Sequence, residues 1–233
     1  MVGWLCPITE KHWFPVLESV RPLGQPLLRA ALPPGKPLRR LKQGAKALVR
    51  RDLRRVLLAP GLEGPETAGL LGRYGLTPLD PLPLCRVKGG DFALFLLKNI
   101  PIWERRVVLR GEVAGPEAWP LADALCPQVG QLFLDFGKGG EELARYLRSV
   151  YGAVALHLGQ GLPPQVSVEF DPMPPLDIPA LRLWGRPELC GLTLRPPEEL
   201  PPDLPALPFL TLLWETGRIK PEELAVAPLA DYP

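Results

Sequence analysis

The chain has 233 residues, of which 46% are hydrophobic and 22% charged, with a formal net charge of +2. This composition excludes wholesale disorder, which requires low hydrophobicity and a high net charge. The longest apolar run, 92–97, falls far short of the roughly 20 residues that cross a bilayer, and no basic segment precedes a signal-peptide core. We therefore expect a soluble, cytoplasmic protein without membrane contact.

Proline is the compositional outlier, with 32 residues spread between apolar runs and clustered from Pro163 to Pro208. Many short, rigid connections explain this spacing better than a disordered tract. Asparagine occurs once and serine three times. Few thermolabile amides and many loop prolines are typical of heat-stable proteins, so we expect a thermophilic, bacterial protein, although a GC-rich genome would give a similar composition.

The predicted elements alternate along the chain. A strand at 2–8 is followed by a helix from Thr9 to Val20, which carries His12, and residues 26–32 fit either a helix or a strand. Further strands are predicted at 54–59, 82–87, 106–110, 131–136, 153–158 and 165–170, with short apolar pieces at 180–184 and 191–195. Further helices are predicted at 37–52, 65–74, 90–99, 116–126, 141–151 and 206–216.

This alternation predicts an α/β fold, Rossmann-like, with a mostly parallel sheet built from βα units. Two units share a motif at an offset of 51 residues: Arg-Arg and an apolar strand, then Gly-Pro-Glu and a helix. Duplication and convergence both explain the motif. The chain forms either one continuous domain or two α/β halves, 1–103 and 104–233, with the proline-rich C-terminal segment packed back on the sheet.

Charge is concentrated in residues 36–55, which hold nine cations and one anion. Apolar residues recur there at intervals of three and four, so the segment is predicted as an amphipathic helix with cations on its outer face. That face is either solvated or bound to phosphates, although no aromatic residue for base stacking lies within the run. The cations proposed to reach nucleic acid are Lys36, Arg39, Arg40, Lys46, Arg50 and Arg51.

Glycine-containing turns follow the predicted strands at 106–110 and 131–136. They resemble part of a Rossmann-type nucleotide-binding unit, in which a glycine turn opens the first helix and an acidic residue that ends the second strand binds a ribose hydroxyl. The resemblance covers 105–160 and implies a site for NAD(P) or S-adenosylmethionine. The residues that it assigns to the cofactor are Gly111, Gly115, Asp135, Gly137, Lys138 and Gly139.

Two residues depart from the nucleotide-binding pattern. GxGxxG is absent, and Glu112 and Pro116 stand where a phosphate needs small residues and free N–H groups. A structural role explains the turns better than a pyrophosphate site does. A P-loop is excluded because no Ser or Thr follows a GxxxxGK motif.

Groups suited to catalysis are few. His157, after a predicted strand, is the one candidate acid or base, and His12 is expected to pack on the first helix. No zinc-ligand spacing occurs, so no metal is assigned, although Asp135, Glu169 and Asp171 could approach one another at strand ends. Cys126 ends a predicted helix, where the dipole disfavours a thiolate.

Three functions remain open. The first is a small-molecule or protein-binding module without catalysis, favoured by the scarcity of catalytic groups. The second is an enzyme using a nucleotide-type cofactor. The third is a nucleic-acid-associated protein acting through residues 36–55. The sequence leaves the oligomeric state open.

Overall fold

The computed structural model describes residues 1–10 and 12–229. Contacts between Cα atoms divide the chain into two compact units. Unit 1 comprises Met1–Pro81 and Pro196–Glu223, and unit 2 comprises Leu82–Arg195 and the segment from Leu224 onward.

The strands and helices alternate for most of the chain. The strands are β1 (Val2–Pro7), β2 (Val16–Val20), β3 (Leu27–Leu32), β4 (Arg55–Leu58), β5 (Thr77–Pro78), β6 (Arg106–Val113), β7 (Gln131–Lys138), β8 (Val166–Glu169), β9 (Ala180–Arg182), β10 (Leu192–Arg195) and β11 (Ala225–Pro228). The helices are α1 (Pro37–Val49), α2 (Pro65–Arg73), α3 (Leu82–Val87), α4 (Gly89–Leu96), α5 (Ala118–Leu125), α6 (Gly140–Tyr151) and α7 (Ala206–Glu215).

Unit 1 is built on a five-stranded sheet in the order β2-β3-β1-β4-β5. The strands β3, β1, β4 and β5 are parallel, and β2 lies antiparallel along the edge. The central strand β1 is buried along Val2–Cys6, as expected for a parallel strand covered on both faces.

Helix α1 packs its apolar stripe on this sheet through Leu41, Ala45 and Leu48. The contact is close: a Cβ added at Gly44 would lie 2.6 Å from Leu32 Cδ2 and 2.7 Å from Leu5 Cδ2. Glycine at this position therefore lets α1 approach the sheet. With Leu41, Ala45 and Leu48 buried, α1 presents its polar face to solvent, together with Leu38, which is 48% exposed.

Unit 2 is built on a parallel sheet in the order β7-β6-β8-β9. Leu156 adds one parallel bridge to Phe133 on the outer side of β7. With that bridge counted as the third strand in chain order, the strands run 3-2-1-4-5, the order of a Rossmann fold. A separate antiparallel pair, β10 and β11, also belongs to this unit.

The proline-rich C-terminal segment returns to unit 1 through α7, whose residues 209–213 are buried. Arg55 Nη2 of β4 donates to Glu215 Oε2 at 2.6 Å.

The two sheets confirm the predicted fold class: the chain is an α/β protein with mostly parallel sheets made of βα units. Both motifs at the 51-residue offset form a strand, a loop and a helix.

The helix predicted from Thr9 to Val20 is wrong. Residues 12–15 form a loop, Val16–Val20 is a strand, and Lys11 lies outside the described residues. Pro15 blocks a helix here because its ring clashes with the preceding turn and it has no N–H to donate. His12 accordingly does not pack on a helix: it is exposed, with Nε2 3.1 Å from Glu10 Oε2.

Two predicted strands also differ. Residues 82–87 form α3, because Pro83 suits a first helical turn and a short apolar run does not distinguish strand from helix. Residues 153–158 contribute the single bridge at Leu156. Residues 26–32, left ambiguous, contain β3.

No helix within residues 1–10 and 12–229 is long and apolar enough to cross a membrane. The boundary near residue 103, the duplication, the thermal stability and the cytoplasmic location stay predictions.

Candidate functional site

The strand order of unit 2 indicates where a ligand would bind, at the carboxyl ends of its parallel strands. In doubly wound folds, ligands bind beyond the carboxyl ends of the strands, where successive connections leave in opposite directions. In unit 2 that point lies between β6 and β8, which are neighbours in the sheet but not in the sequence. The residues at these strand ends are therefore the first candidates for a site.

A row of alternating charges crosses the sheet there. The parallel register pairs Arg110 with Asp135 and Glu169, and Glu169 with Arg182. An isolated bridge then pairs Arg182 with Glu188. We call these five residues the charge row: Asp135, Arg110, Glu169, Arg182 and Glu188.

Each neighbouring pair in the charge row is in ionic contact. Arg110 Nε donates to Asp135 Oδ2 at 2.9 Å, and its Nη1 donates to Glu169 Oε1 at 3.3 Å. Arg182 lies 3.7 Å from the other Glu169 oxygen and donates to Glu188 Oε2 at 2.6 Å. The signs alternate at every step, so each charge has an opposite neighbour, and the three carboxylates and two guanidiniums leave the row with a formal charge of −1.

Arg110 and Glu169 are the buried centre of the row, with side chains 4% and 3% exposed. The Arg110 guanidinium also donates to the Pro174 carbonyl at 2.9 Å, and Ser167 Oγ lies 3.3 Å from Glu169 Oε1. A buried ion pair is stable only when further hydrogen bonds satisfy its remaining donors and acceptors. Arg110, which the sequence analysis did not single out, is therefore the structural centre of this edge.

Asp135, predicted to bind ribose, accepts the hydrogen bond from Arg110 through Oδ2. Its side chain is 35% exposed. Gly111 is surrounded by the protein's own side chains: an added Cβ would lie 2.9 Å from Asp171 Oδ2 and 3.3 Å from Phe136 Cε1. Asp171 Oδ2 also accepts the Glu112 N–H at 2.8 Å. A side chain at position 111 would therefore displace the Asp171 carboxylate from the Glu112 N–H.

The loop between β6 and α5 uses most of its amides internally. Ala114 N donates to Lys138 O, Gly115 N to Val113 O, and Ala118 N to Gly115 O. Pro116 has no N–H, and Glu117 pairs with Arg86 at 2.7 Å. A pyrophosphate cradle needs free N–H groups at this turn, so few remain for one around Gly115.

The second glycine turn keeps more freedom. Gly137 and Lys138 are exposed at the end of β7, and Gly139 is left-handed with φ of 76° as the residue that precedes α6. Glu141 and Glu142 occupy the first turn of α6, where they complement the positive end of the helix dipole.

His157 follows Leu156 in an exposed loop, and its backbone N–H donates to Gln160 Oε1 at 2.9 Å. Within the described part of the chain, no hydrogen bond or ion pair is made by its ring. Cys126 is no better placed for nucleophilic chemistry, because burial, with a smaller contribution from Asp123, raises the pKa of its thiol. No histidine, cysteine or carboxylate pair resembling a catalytic dyad emerges from the sequence-predicted residues.

A carboxylate that the sequence analysis missed lies on α5. Asp123 Oδ1 accepts hydrogen bonds from Tyr146 OH at 3.0 Å and Tyr151 OH at 2.8 Å. These bonds raise the pKa of both phenols, that of Tyr151 to about 12. The arrangement joins α5 to α6, and no spacing rule brings residues 23 and 28 positions apart together.

Across residues 1–10 and 12–229, no group of three His, Cys, Asp or Glu side chains lies close enough to hold a metal ion. The three carboxylates considered as metal ligands have other partners. Asp135 and Glu169 contact Arg110, and Asp171 accepts a hydrogen bond from the Glu112 backbone N–H.

The predicted nucleic-acid residues lie on or beside α1 in unit 1. Lys36, Arg39, Lys46, Arg50 and Arg51 are exposed. Arg40 is half-buried and donates to the Trp13 carbonyl at 3.0 Å. The predicted helix is confirmed and ends at Val49.

Comparison with known proteins identifies no family. No family model matches the chain, and no curated protein matches it. Among solved structures it is similar to an L-tryptophan dehydrogenase from Nostoc punctiforme, at 14% identity and a TM-score of 0.30, over 63% of this chain and 44% of that one.

Two further structures are similar at the same level. A 5-ketofructose reductase of Gluconobacter sp. strain CHM43 has 13% identity and a TM-score of 0.25, over 60% of this chain and 57% of that one. A phosphoglycerate oxidoreductase from Vibrio cholerae o395 has 11% identity and a TM-score of 0.26, over 61% and 58%. The chain spans about half the length of these proteins, and likenesses this low carry no inference about activity.

Proposed function

We propose that this chain is a binding module that performs no chemistry at the carboxyl edge of its unit 2 sheet. The observation that supports this proposal is the charge row. Asp135, Arg110 and Glu169, the polar groups at the point where such folds bind ligands, are engaged with one another. A catalytic site needs acid and base groups that are free to contact a substrate.

The loop between β6 and α5 supports the same proposal. Its hydrogen-bonded amides and Pro116 leave few donors for a dinucleotide pyrophosphate. The packing around Gly111 places Asp171 and Phe136 where a cofactor would have to approach the backbone. The polar groups and the space at this turn are therefore already taken up by the protein itself.

The test is native mass spectrometry of the purified protein alone and with NAD, NADP, S-adenosylmethionine or ATP. We expect the mass of the bare chain under every condition. A retained nucleotide, or one that binds and is lost in Asp135→Asn but kept in Asp123→Asn, would show that this edge binds a nucleotide, and substrate turnover that is lost in Asp135→Asn or His157→Gln would overturn the proposal. The same spectra report the oligomeric state.

One observation favours a second candidate, an enzyme with a nucleotide-type cofactor. In the order 3-2-1-4-5 the second strand is β7, and Asp135, in the carboxyl-terminal half of β7, has a side chain that is about one-third exposed. In that case Asp135 binds the ribose, and His157 is the acid or base. The cofactor phosphates lie against Gly111, Gly115, Gly137, Lys138 and Gly139. Cofactor-dependent turnover that is lost in both Asp135→Asn and His157→Gln would establish this candidate.

A further inference from the structure

Helix α1 carries a linear stripe of cations on its solvent face. Arg39, Lys42, Lys46 and Arg50 follow one another at intervals of three, four and four residues, and all four are exposed. At 3.6 residues per turn these positions share one side of the helix, over about 16 Å at a rise of about 1.5 Å per residue.

The stripe has no internal counterion. Within the described part of the chain, no carboxylate lies within ion-pair distance of Arg39, Lys42, Lys46 or Arg50. The neighbouring arginines differ: Arg54 contacts Asp52 at 3.4 Å, and Arg55 contacts Glu215 at 2.6 Å. Arg54 and Arg55, next to α1 in the sequence, are thus compensated by carboxylates, whereas the stripe is not.

Two cations at the N-terminal end of α1 stand where the stability of the helix disfavours them, whereas Lys46 and Arg50 lie at the C-terminal end, where the dipole favours cations. The first turn of α1 contains no acidic residue, while Lys36 and Arg39 lie at the end where the helix dipole favours anions. Helix α6 shows the usual arrangement, with Glu141 and Glu142 in the first turn and Arg148 in the last. Local rules broken without internal compensation are expected at functional surfaces.

The fold supplies the aromatic residues that the basic segment itself lacks. Arg40 Nη1 of α1 donates to the Trp13 carbonyl at 3.0 Å, which joins the loop at 12–15 to the helix. In that loop Trp13 is 88% exposed and Phe14 is 72% exposed. Two aromatic rings therefore stand in solvent on the segment that Arg40 holds beside the cations.

We propose that this surface, the α1 cation stripe with Trp13 and Phe14, binds single-stranded nucleic acid. The cations contact backbone phosphates, and the rings stack on bases, as in binders that combine a positive track with aromatic platforms. An anionic membrane is disfavoured as the partner because an interfacial helix inserts its apolar face, and that of α1 is buried on the sheet apart from Leu38. The proposal concerns unit 1 and holds whether or not unit 2 binds a nucleotide.

The test is fluorescence anisotropy of a labelled oligothymidylate of about 16 nucleotides, the upper end of common site sizes. Four phosphate contacts predict that affinity falls about 50-fold between roughly 50 and 200 mM salt. Arg39→Glu with Lys46→Glu is expected to weaken binding at low salt by about 10-fold or more. The matched control is Arg145→Glu with Arg148→Glu, which makes the same charge change on exposed positions of α6 and should leave binding within twofold.

Stacking is tested separately with Trp13→Ala, against Trp103→Ala as the exposed aromatic control. Loss of one stacked base weakens binding about 5- to 150-fold, so Trp13→Ala should do so and Trp103→Ala should not. The proposal is overturned if the reversals on α1 and α6 weaken oligonucleotide binding equally. It is also overturned if the α1 reversal has no effect on binding, or if Trp13→Ala has none. Binding to vesicles with anionic lipid in the absence of oligonucleotide binding overturns it as well. Far-UV circular dichroism verifies that each variant is folded.

Discussion

The charge row of unit 2 and the cation stripe of unit 1 both contain arginine, but its charge is paired in the row and unpaired in the stripe. In the row, Arg110 is 4% exposed and contacts two carboxylates that the strand register places beside it. In the stripe, Arg39 and Lys46 are exposed, with no carboxylate in reach among the described residues. A charge that is paired inside the fold has its partner there, whereas an unpaired exposed charge is available to another molecule.

The largest expected effect comes from breaking the row. Arg110→Met leaves Glu169 buried with Arg182 as its nearest remaining cation, and removing one partner of a buried pair costs about 3–5 kcal/mol. Urea unfolding should show this loss in the free energy of unfolding. Arg145→Met, at an exposed position of α6, is the control and should change that free energy by less than about 0.5 kcal/mol.

The next effect separates the two faces of α1. Leu48 is fully buried against the sheet, so Leu48→Ala should cost about 2–5 kcal/mol through lost burial and the cavity left behind. Lys46→Ala, two residues away on the exposed face, should stay within about 0.5 kcal/mol. Thermal unfolding followed by circular dichroism measures both. A large loss in the lysine variant would show that the stripe is structural.

A smaller effect has the opposite sign. Arg39→Glu replaces a cation with an anion in the first turn of α1, which the helix dipole favours by about 0.3–1 kcal/mol. We expect this variant to unfold at a slightly higher denaturant concentration while it binds oligonucleotide less tightly. A gain in stability with a loss of binding is the pattern of a residue retained for function. A destabilised Arg39→Glu protein would contradict this interpretation.

The smallest effect concerns the phenols on Asp123. Hydrogen bonding to the carboxylate raises the pKa of Tyr151 from 10.0 to about 12, so the fold favours the neutral phenol. The associated stability is present below pH 10 and is lost as the pH rises through about 12. In an ultraviolet titration of tyrosinate, Asp123→Asn should shift this ionisation toward lower pH, and Tyr151→Phe should remove it. An unchanged titration curve in Asp123→Asn would show that the hydrogen bond is absent in solution.

Periodicity predicted the elements that position both regions. Helix α1 was evident because its apolar residues recur at helical intervals, and β6, β7 and β8 because each contains a short apolar run. The wrong predictions occurred where a single proline determines the secondary structure. Pro15 excludes the helix predicted from Thr9 to Val20, and Pro83 is compatible with the helix that replaces the strand predicted at 82–87. The loop at 12–15 therefore could not be placed from pattern alone.

The charge row could not be derived from spacing, because register between strands depends on tertiary packing. A usable signal did exist. The strands β6, β7 and β8 each place one charged residue, Arg110, Asp135 or Glu169, directly after three consecutive residues that lie in the interior. Opposite charges at equivalent ends of parallel strands indicate partners across a sheet. The link between Arg40 and Trp13, 27 residues apart, has no comparable signal.

The most direct test of the contrast is a double-mutant cycle on the centre of the row, measured by urea unfolding. We expect Arg110→Met and Glu169→Met each to lose about 3–5 kcal/mol, and the double variant to lose much less than their sum, because it leaves neither partner unpaired. Single variants within about 0.5 kcal/mol of the unmodified protein, with additive effects, would contradict the structural role and return Arg110 and Glu169 to the list of ligand-binding groups.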